Sequence, residues 1–206
     1  CVTEVEYIDK ALEYLRRGYK IATFGDMVKV PASSGSLGSQ ASENLLIVYS
    51  PLDALDYAKR NENEEVIFLG VGFETTAPLI AGVLQDAYKE GISNFYLLTS
   101  LRLIPPAIEF LLKSGEVKID GLILPGHVST VIGANAFEDI VDKYEVPSVI
   151  SGFEAEDIIE SIYLLLDMIR EGKPCLKVQY KRAVRQEGNP LAKETMDDAF
   201  DVIDIN

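Results

Sequence analysis

Three side chains that can transfer protons or bind metal follow predicted strands of this sequence. Glu74 and Glu154 each stand directly after a Gly-Phe pair, and His127, the one histidine of the chain, follows a Pro-Gly pair. Ligands of parallel α/β sheets gather at the carboxyl ends of the strands, where these residues are predicted to lie. If their loops open onto one cleft, the two carboxylates and the imidazole could bind metal or move protons there.

Hydroxyl groups stand in the same loops, at Thr75, Thr76, Ser129 and Thr130. The stretch before Thr75 begins like a dinucleotide fingerprint, but Thr75 occupies the position of the third glycine. A loop after the first predicted strand contains Asp26 and a serine- and glycine-rich stretch at 33–39. Backbone N–H groups of such a stretch can cradle an anion, although no Gly-Lys-Ser/Thr follows to make it a P-loop.

Each of these groups also has a structural explanation, which the sequence leaves open. Asp26 can cap a turn in a flexible connector, and Thr75 or Thr76 can cap the next helix. A lone histidine is more often structural than catalytic. The two Gly-Phe-Glu stretches can be helix caps with aromatic staples. A Ser-His-Asp hydrolase fits poorly, because the sequence has no Gly-x-Ser-x-Gly elbow.

The hydrophobic residues alternate between the period of strands and that of helices. Short apolar runs predict buried strands at 21–24, 45–49, 66–69, 95–98, 121–124 and 148–150. Helical spacing predicts helices at 7–17, 51–60, 78–90, 105–113, 135–144 and 156–170. This alternation predicts an α/β fold with parallel sheets and helices on both faces.

We expect two small α/β lobes that face a cleft, rather than one large sheet. The first lobe is predicted at residues 1–65 and the second at 66–172, with the polar stretch 61–65 as a loop or joint. Residues 173–206 are predicted to form a strand-like crossing segment followed by a loose or packed tail.

The composition excludes several classes of function. Of 206 residues, 33 are acidic and 19 are basic, so the net charge is −14 and nucleic acid is not an expected partner. No apolar stretch approaches the ~18 residues of a membrane span and no signal peptide is visible, which predicts a cytoplasmic protein without membrane contact. Two cysteines, Cys1 and Cys175, and one histidine are too few for a His/Cys metal site.

Taken together, five motifs closely resemble the signatures of the HypD family, in the family's order from Cys1 to about Asn189. They are TFGDMxxVP at 23–31, GFETTAP at 72–78, HVSTxIG at 127–133, SGFE at 151–154 and VxYxRxVxxEGN at 178–189. The resemblance implies a hydrogenase maturation factor, a scaffold on which the Fe(CN)2CO unit of [NiFe]-hydrogenase is assembled. It also implies two α/β lobes facing a cleft, with a C-terminal part that holds a [4Fe-4S] cluster.

The resemblance further implies two partners, a HypC-type chaperone that carries the iron and a HypE-type cyanide donor. Cys1 resembles the second cysteine of the family's Gly-Pro-Gly-Cys-Pro-Val-Cys motif, which implies iron binding or thiol redox chemistry. The family's cluster-binding cysteines have no counterpart in this sequence, and the chain begins with Cys1 rather than methionine. We therefore expect a fragment of a longer protein that does not bind a [4Fe-4S] cluster or iron by itself.

In this interpretation the cleft is lined by Asp26, Glu74, Thr75, Thr76, His127, Ser129, Thr130 and Glu154, with Cys1 as the iron ligand. Their roles would be to orient the iron unit or a partner and to shuttle protons. Cyanide-bearing iron is anionic, so backbone N–H groups and helix N-termini suit it. We expect an assembly scaffold with metal and thiol chemistry rather than a turnover enzyme.

Two other functions stay open. One is a bilobed small-molecule-binding protein without iron chemistry. The other is a hydrolase or transferase that acts on a phosphorylated substrate at the 33–39 loop. A dimer of this chain is also open, because a truncated lobe would expose apolar surface.

Overall fold

The structure is a computed structural model that describes residues 3–40, 43–115 and 117–203. In these ranges seven strands form two sheets, and every strand pairing is parallel. Eight α-helices accompany the strands there. The predicted α/β class with parallel sheets is confirmed.

The strands are β1 (Lys20–Phe24), β2 (Leu45–Val48), β3 (Val66–Gly72), β4 (Phe95–Leu101), β5 (Leu122–Pro125), β6 (Ser148–Ser151) and β7 (Leu176–Val178). The helices are α1 (Val5–Arg16), α2 (Pro51–Arg60), α3 (Ala77–Lys89), α4 (Ile104–Ser114), α5 (Gly126–Ile132), α6 (Asn135–Tyr144), α7 (Ala155–Glu171) and α8 (Pro190–Asp197). Two short 3-10 helices, Gly25–Lys29 and Leu37–Gln40, lie between β1 and β2.

Each predicted strand and helix is present, with ends that differ by at most about three residues. The predicted crossing segment is β7. Two helices differ from the prediction: α5 occupies the expected loop after β5, and α8 occupies part of the expected tail. Helix α5 is short and rich in β-branched residues, which have low helix propensity. Helix α8 does carry a signal, because Asn189 precedes Pro190 and its Oδ1 accepts a hydrogen bond from the N–H of Ala192.

The chain divides into two compact units, and the first takes the described residues of Cys1–Gly72, Thr76–Arg102 and Thr195–Asn206. Its sheet has the strand order β2-β1-β3-β4. On one face the apolar side of α1 packs against Ile21, Ile67 and Leu69. On the other, α2 and α3 pack against Ala22 and Phe68, the neighbours of those residues along the strands. Both faces are therefore covered, as a parallel sheet requires.

The second unit takes Phe73–Thr75 and the described residues of Leu103–Glu194. Its sheet has the order β5-β6-β7. Its core is smaller and centres on Leu124, Phe137 and Ile150, to which Val184 adds a side chain from the segment after β7.

The division of the chain differs from the predicted boundary after residue 65. Strands β3 and β4 extend the sheet of β1 and β2, because β3 pairs with β1 from Lys20↔Val66 to Ala22↔Phe68. The polar stretch 61–65 is a turn inside the first unit. The Nδ2 of Asn94 holds it by donating to three carbonyl oxygens, those of Ala58, Asn61 and Glu64.

The segment after β7 is fastened to the end of α5 by backbone contacts. The N–H groups of Ala134 and Asn135 donate to the carbonyls of Arg185 and Gln186, and the N–H of Asn189 donates to Val131. Gly133 and Gly188 face each other at this crossing, both with positive φ. The close approach of two backbones explains why glycine stands in the Glu-Gly-Asn part of the fifth motif.

Gly188→Ala should therefore destabilise the fold strongly. The added Cβ would lie 2.5 Å from the backbone nitrogen of Gly133 and closer still to the Val131 carbonyl oxygen. Gly172→Ala is a matched control, because Gly172 also has positive φ (62°) but its added Cβ would meet nothing within 4 Å. The control should lose on the order of 1 kcal/mol, and Gly188→Ala at least about 2 kcal/mol more.

Chemical denaturation followed by circular dichroism measures both losses. Equal losses would show that the left-handed conformation alone, and not the backbone crossing, requires glycine at position 188.

Candidate functional site

Glu74 is a buried acid in the loop after β3, with only 2% of its surface exposed. Its Oε1 accepts a hydrogen bond from the backbone N–H of Ile104 (2.8 Å), the first residue of α4. Its Oε2 is buried and has no hydrogen-bond partner among the described residues. Burial raises the pKa of Glu74. The side chain thus caps a helix with one oxygen and keeps the other for a proton or a ligand.

The two threonines after Glu74 differ in position. Thr75 is exposed, whereas Thr76 is half-buried at the residue before α3. Thr76 makes no side-chain capping bond, so it does not cap α3 in the way that the sequence leaves open. Its side chain packs against the backbone of Gly72, where a Cβ would lie 2.7 Å away.

His127 lies exposed in the first turn of α5 and forms part of a cluster of three rings, which we call the His127 platform. The imidazole packs on Phe153 with 4.0 Å between ring centroids and an angle of 30°. Tyr180 meets Phe153 edge to face at 6.4 Å and lies 6.5 Å from His127. Since Phe153 is 54% exposed, the platform presents a pre-oriented imidazole and an aromatic face to the surroundings.

Tyr180 is held between two backbone segments. A Cβ added at Gly126 or at Gly152 would lie 2.8 Å from a carbon of the Tyr180 ring, so both positions need glycine for the ring to fit. The guanidinium of Arg182 lies over the same ring, 4.5 Å from its centroid. Tyr180 is therefore fixed from both sides.

Asp157 anchors this arrangement from the first turn of α7. Its Oδ1 and Oδ2 accept hydrogen bonds from Nη1 (2.7 Å) and Nη2 (2.5 Å) of Arg182. Oδ1 also accepts from Nε2 of Gln179 (2.9 Å), and Oδ2 from the N–H of Glu154 (3.2 Å). The bonds from Arg182 hold the pKa of Asp157 well below its usual range, with a smaller effect from Gln179. The carboxylate stays charged and joins the segment after β7 to α7.

Glu154 precedes α7, exposed and directly after Phe153. A carboxylate at a helix N-terminus is favourable by itself, so Glu154 has a structural reason for its position. The N–H of Glu154 donates to the carboxylate of Asp157, and this bond caps the N-terminus of α7. Ser151 does not contribute to the cap, because its Oγ donates to the carbonyl of Gly152.

Ser129 and Thr130 use their hydroxyl protons inside the chain. The Oγ of buried Ser129 donates to the carbonyl of Pro125 (2.9 Å), and the Oγ1 of Thr130 donates to the carbonyl of His127 (2.6 Å). Such bonds to carbonyls of the preceding turn occupy the hydroxyl protons and tend to bend a helix slightly. The Oγ1 of half-buried Thr130 can still accept a hydrogen bond from a ligand, whereas Ser129 is fully buried.

Asp26 lies exposed in the 3-10 helix after β1, in the first unit. The serine-rich loop beyond it does contact a negatively charged group, but that group is the carboxylate of Asp9 in the same chain. The N–H and Oγ of Ser33 donate to the two carboxylate oxygens of Asp9, at 3.0 and 2.6 Å. The N–H of Ser36 donates to the Oγ of Ser39. These donors are in use, which counts against a phosphate site at 33–39.

The predicted site residues are divided between the two units. Asp26 and Thr76 belong to the first unit. The second unit contains Glu74, Thr75, His127, Ser129, Thr130 and Glu154, and it brings His127 and Glu154 to the same end of its sheet. Cys1 lies outside the described residues.

Phe153, Asp157, Tyr180 and Arg182 are absent from the predicted site, although they hold His127 in place. Tyr180 and Arg182 belong to the fifth motif, and this Tyr-x-Arg spacing is the signal that could have identified them. Asp157 carries no such signal, because an acid in the first turn of a helix usually has a capping role.

Within the described ranges no group of three or more His, Cys, Asp or Glu side chains could hold a metal ion. The described ranges contain the cysteine Cys175, whose side chain is exposed and not in a disulfide. A [4Fe-4S] cluster is usually held by four thiolates, so the described residues do not fit one. None of the helices in the described ranges is long and apolar enough to cross a membrane.

Comparison with known proteins gives one consistent family. The HypD family model, whose description is "Hydrogenase formation hypA family", matches residues 1–206. The chain is 39% identical over 207 residues to a protein of Methanocaldococcus jannaschii named for hydrogenase expression and formation, with 100% of this chain and 58% of that protein covered.

Two bacterial relatives are named hydrogenase maturation factor HypD. The one from Rhodobacter capsulatus is 38% identical over 204 residues, which are 98% of this chain and 54% of that protein. The one from Escherichia coli (strain K12) is 36% identical over 203 residues, with coverage of 97% and 54%. The chain thus spans about half the length of the curated relatives it matches. Since the family model matches along the whole sequence, the chain belongs to the HypD family.

Proposed function

We propose that this chain forms an α/β scaffold of a hydrogenase maturation factor, on which the Fe(CN)2CO unit of [NiFe]-hydrogenase is assembled in the cytoplasm. The observation that carries the proposal is the position of the five family motifs. In both sheets each motif places its polar residues directly after the carboxyl end of a strand. Ligands of parallel sheets bind at that edge.

Both sheets carry motifs at the carboxyl ends of their strands. In the first sheet, Asp26 follows β1 and the Gly-Phe-Glu-Thr-Thr stretch follows β3. In the second sheet, His127 follows β5, Glu154 follows β6, and the Tyr-x-Arg pair follows β7. The cleft, with Cys1 beside it, is the part of the proposal that follows from the family resemblance alone.

His127 is the residue we assign to the iron unit. That unit is an anionic cargo, and the nitrogen atoms of its cyanides can accept hydrogen bonds from an imidazole N–H. The His127 platform supports this role because it is exposed and because Phe153 and Tyr180 fix the ring orientation. The exposed aromatic surface with Arg182 beside it also has the composition of an interface hot spot, which suits a protein partner that delivers the cargo.

Glu74 is the residue we assign to proton transfer. It is buried, its pKa is raised, and Oε2 has no partner among the described residues, so it can hold a proton that an exposed glutamate would lose. Asp26, Glu154 and the hydroxyls of Thr75, Thr76, Ser129 and Thr130 remain proposed contacts of the cargo or of the partner. The HypC-type chaperone and the HypE-type cyanide donor are the proposed partners.

The His127→Ala variant should mature hydrogenase at least about tenfold less well than the wild type, because a positioned donor is lost. Hydrogenase activity in a host deleted for its own HypD measures this. Tyr88→Ala is the control, since Tyr88 is an exposed ring on α3 outside the motifs. Maturation at the wild-type level in His127→Ala would remove His127 from the mechanism.

Co-purification from the same cells tests the scaffold function itself. The wild-type protein should capture the HypC-type chaperone. If it captures no such chaperone and contains no iron, the scaffold proposal fails, and a bilobed binding protein without iron chemistry becomes the better explanation.

The stability of Glu74→Gln relative to the wild type should increase with pH. Because the pKa of Glu74 is raised, the folded wild type keeps a proton that the unfolded chain loses near pH 4.3. Wild-type stability therefore falls as the pH rises from there towards the folded-state pKa. Glutamine does not titrate, so the difference in Tm should grow as the pH is raised from about 4.3 towards neutral.

Thermal unfolding of both proteins across this range measures the trend. Glu62→Gln, at an exposed position in the turn after α2, is the control. A difference that does not change with pH for Glu74→Gln would show that Glu74 ionises like an exposed glutamate and is unsuited to the proposed proton transfer.

A further inference from the structure

Helix α7 buries two of its polar residues and turns a largely apolar face outwards. Its buried residues are Asp157, Ser161 and Met168. Its exposed residues include Ile158, Ile159, Ile162, Tyr163, Leu166 and Ile169, of which Ile159 and Leu166 are 68% and 60% exposed. A surface helix normally shows the opposite arrangement, and a contiguous apolar face of this kind marks an interaction surface.

The inward side of α7 cannot exchange with the outward side. Asp157 is bound by Arg182 and Gln179, and the Oγ of Ser161 donates to the carbonyl of Asp157 (2.7 Å). Rotating the helix to bury its isoleucines would break the bonds of Asp157 to Arg182 and Gln179, which lie outside the helix, and would separate a charged pair. The apolar face therefore stays outward in the folded unit.

The outward residues have the spacing of a coiled-coil seam. Ile159, Ile162, Leu166 and Ile169 follow one another at intervals of three, four and three, which are the a and d positions of two consecutive heptads. This spacing suits another helix as the occupant, because the apolar side chains form one straight stripe along the axis.

We propose that the occupant is α7 of a second copy of this chain, packed antiparallel about a twofold axis. In that register Ile159 packs against the partner subunit's Ile169, and Ile162 against the partner subunit's Leu166. Both contacts join an a position to a d position, as antiparallel packing requires. The interface is isologous, so each contact occurs twice.

The charges beside the stripe select this orientation. Glu156 and Arg170 flank the seam at equivalent heptad positions near opposite ends of α7. An antiparallel pair brings Glu156 close to Arg170 of the partner subunit, twice, whereas a parallel pair would place these e positions opposite g positions and form neither contact. Arg170 also contacts Asp167 on its own helix, but an exposed pair of this kind stabilises too little to prevent the exchange.

The seam is only about three turns long, so the dimer should be weak. We expect a Kd on the order of 10 µM, in the range of small interfaces. The interface does not depend on the proposed maturation function, and it can be tested on the chain without any partner.

Sedimentation velocity over a range of concentrations should show a monomer–dimer equilibrium for the chain. Leu166→Glu should abolish the dimer, whereas Tyr88→Glu, at an exposed aromatic position on α3, should leave it unchanged. Circular dichroism at low concentration verifies that each variant is folded.

Charge exchange tests the orientation. Glu156→Arg and Arg170→Glu should each raise the Kd roughly fivefold, and the double variant should return it to the wild-type value because the pairs form again. A chain that remains monomeric at about 200 µM overturns the proposal. A dimer that neither Leu166→Glu nor the charge exchange affects also overturns it, because its interface then lies elsewhere.

Discussion

The ion pair between Asp157 and Arg182 connects the features on which the second unit depends. Through it the segment after β7 is joined to the first turn of α7, next to the loop that carries Phe153. Arg182 in turn lies over Tyr180, which supports Phe153 and, through it, His127. One buried carboxylate thus fixes the orientation of an exposed imidazole several contacts away.

The same ion pair explains the unusual amphipathicity of α7. A carboxylate that leaves water needs several hydrogen bonds, and Asp157 obtains them from Arg182, Gln179 and the helix N-terminus. These partners lie on the buried side of α7, so the helix must keep Asp157 facing inwards. The isoleucine face then points outwards as a consequence, and the two surfaces of the second unit, the His127 platform and the α7 seam, have one physical origin.

The two buried acids Asp157 and Glu74 have pKa values that are shifted in opposite directions. Asp157 is surrounded by donors and keeps its charge, whereas the Oε2 of Glu74 has no partner among the described residues and burial raises the pKa of Glu74. The difference follows from the partners and not from the residue type. A proton-transfer role is therefore reasonable for Glu74, and a positioning role for Asp157.

Most of the fold follows from local patterns. The alternation of apolar runs such as 66–69 with helical spacing such as 135–144 predicts β1 to β6 and six of the eight described helices in their observed order, because periodicity reflects burial directly. The assignment of strands to sheets does not follow, since the pairing of β3 with β1 is non-local and leaves no period in the sequence. For this reason the predicted boundary after residue 65 and the observed division differ.

The sequence by itself determined the α/β class, the motif loops and the candidate residues Glu74 and His127, because local spacing and residue type carry that information. Only the tertiary structure decided that Ser33 binds Asp9, that Glu74 caps α4, and that Asp157 supports the His127 platform. Each of these contacts joins residues about 25 or more positions apart along the chain. Which distant partner a polar group meets is set by the packing of the elements that carry it, and no local pattern encodes that choice.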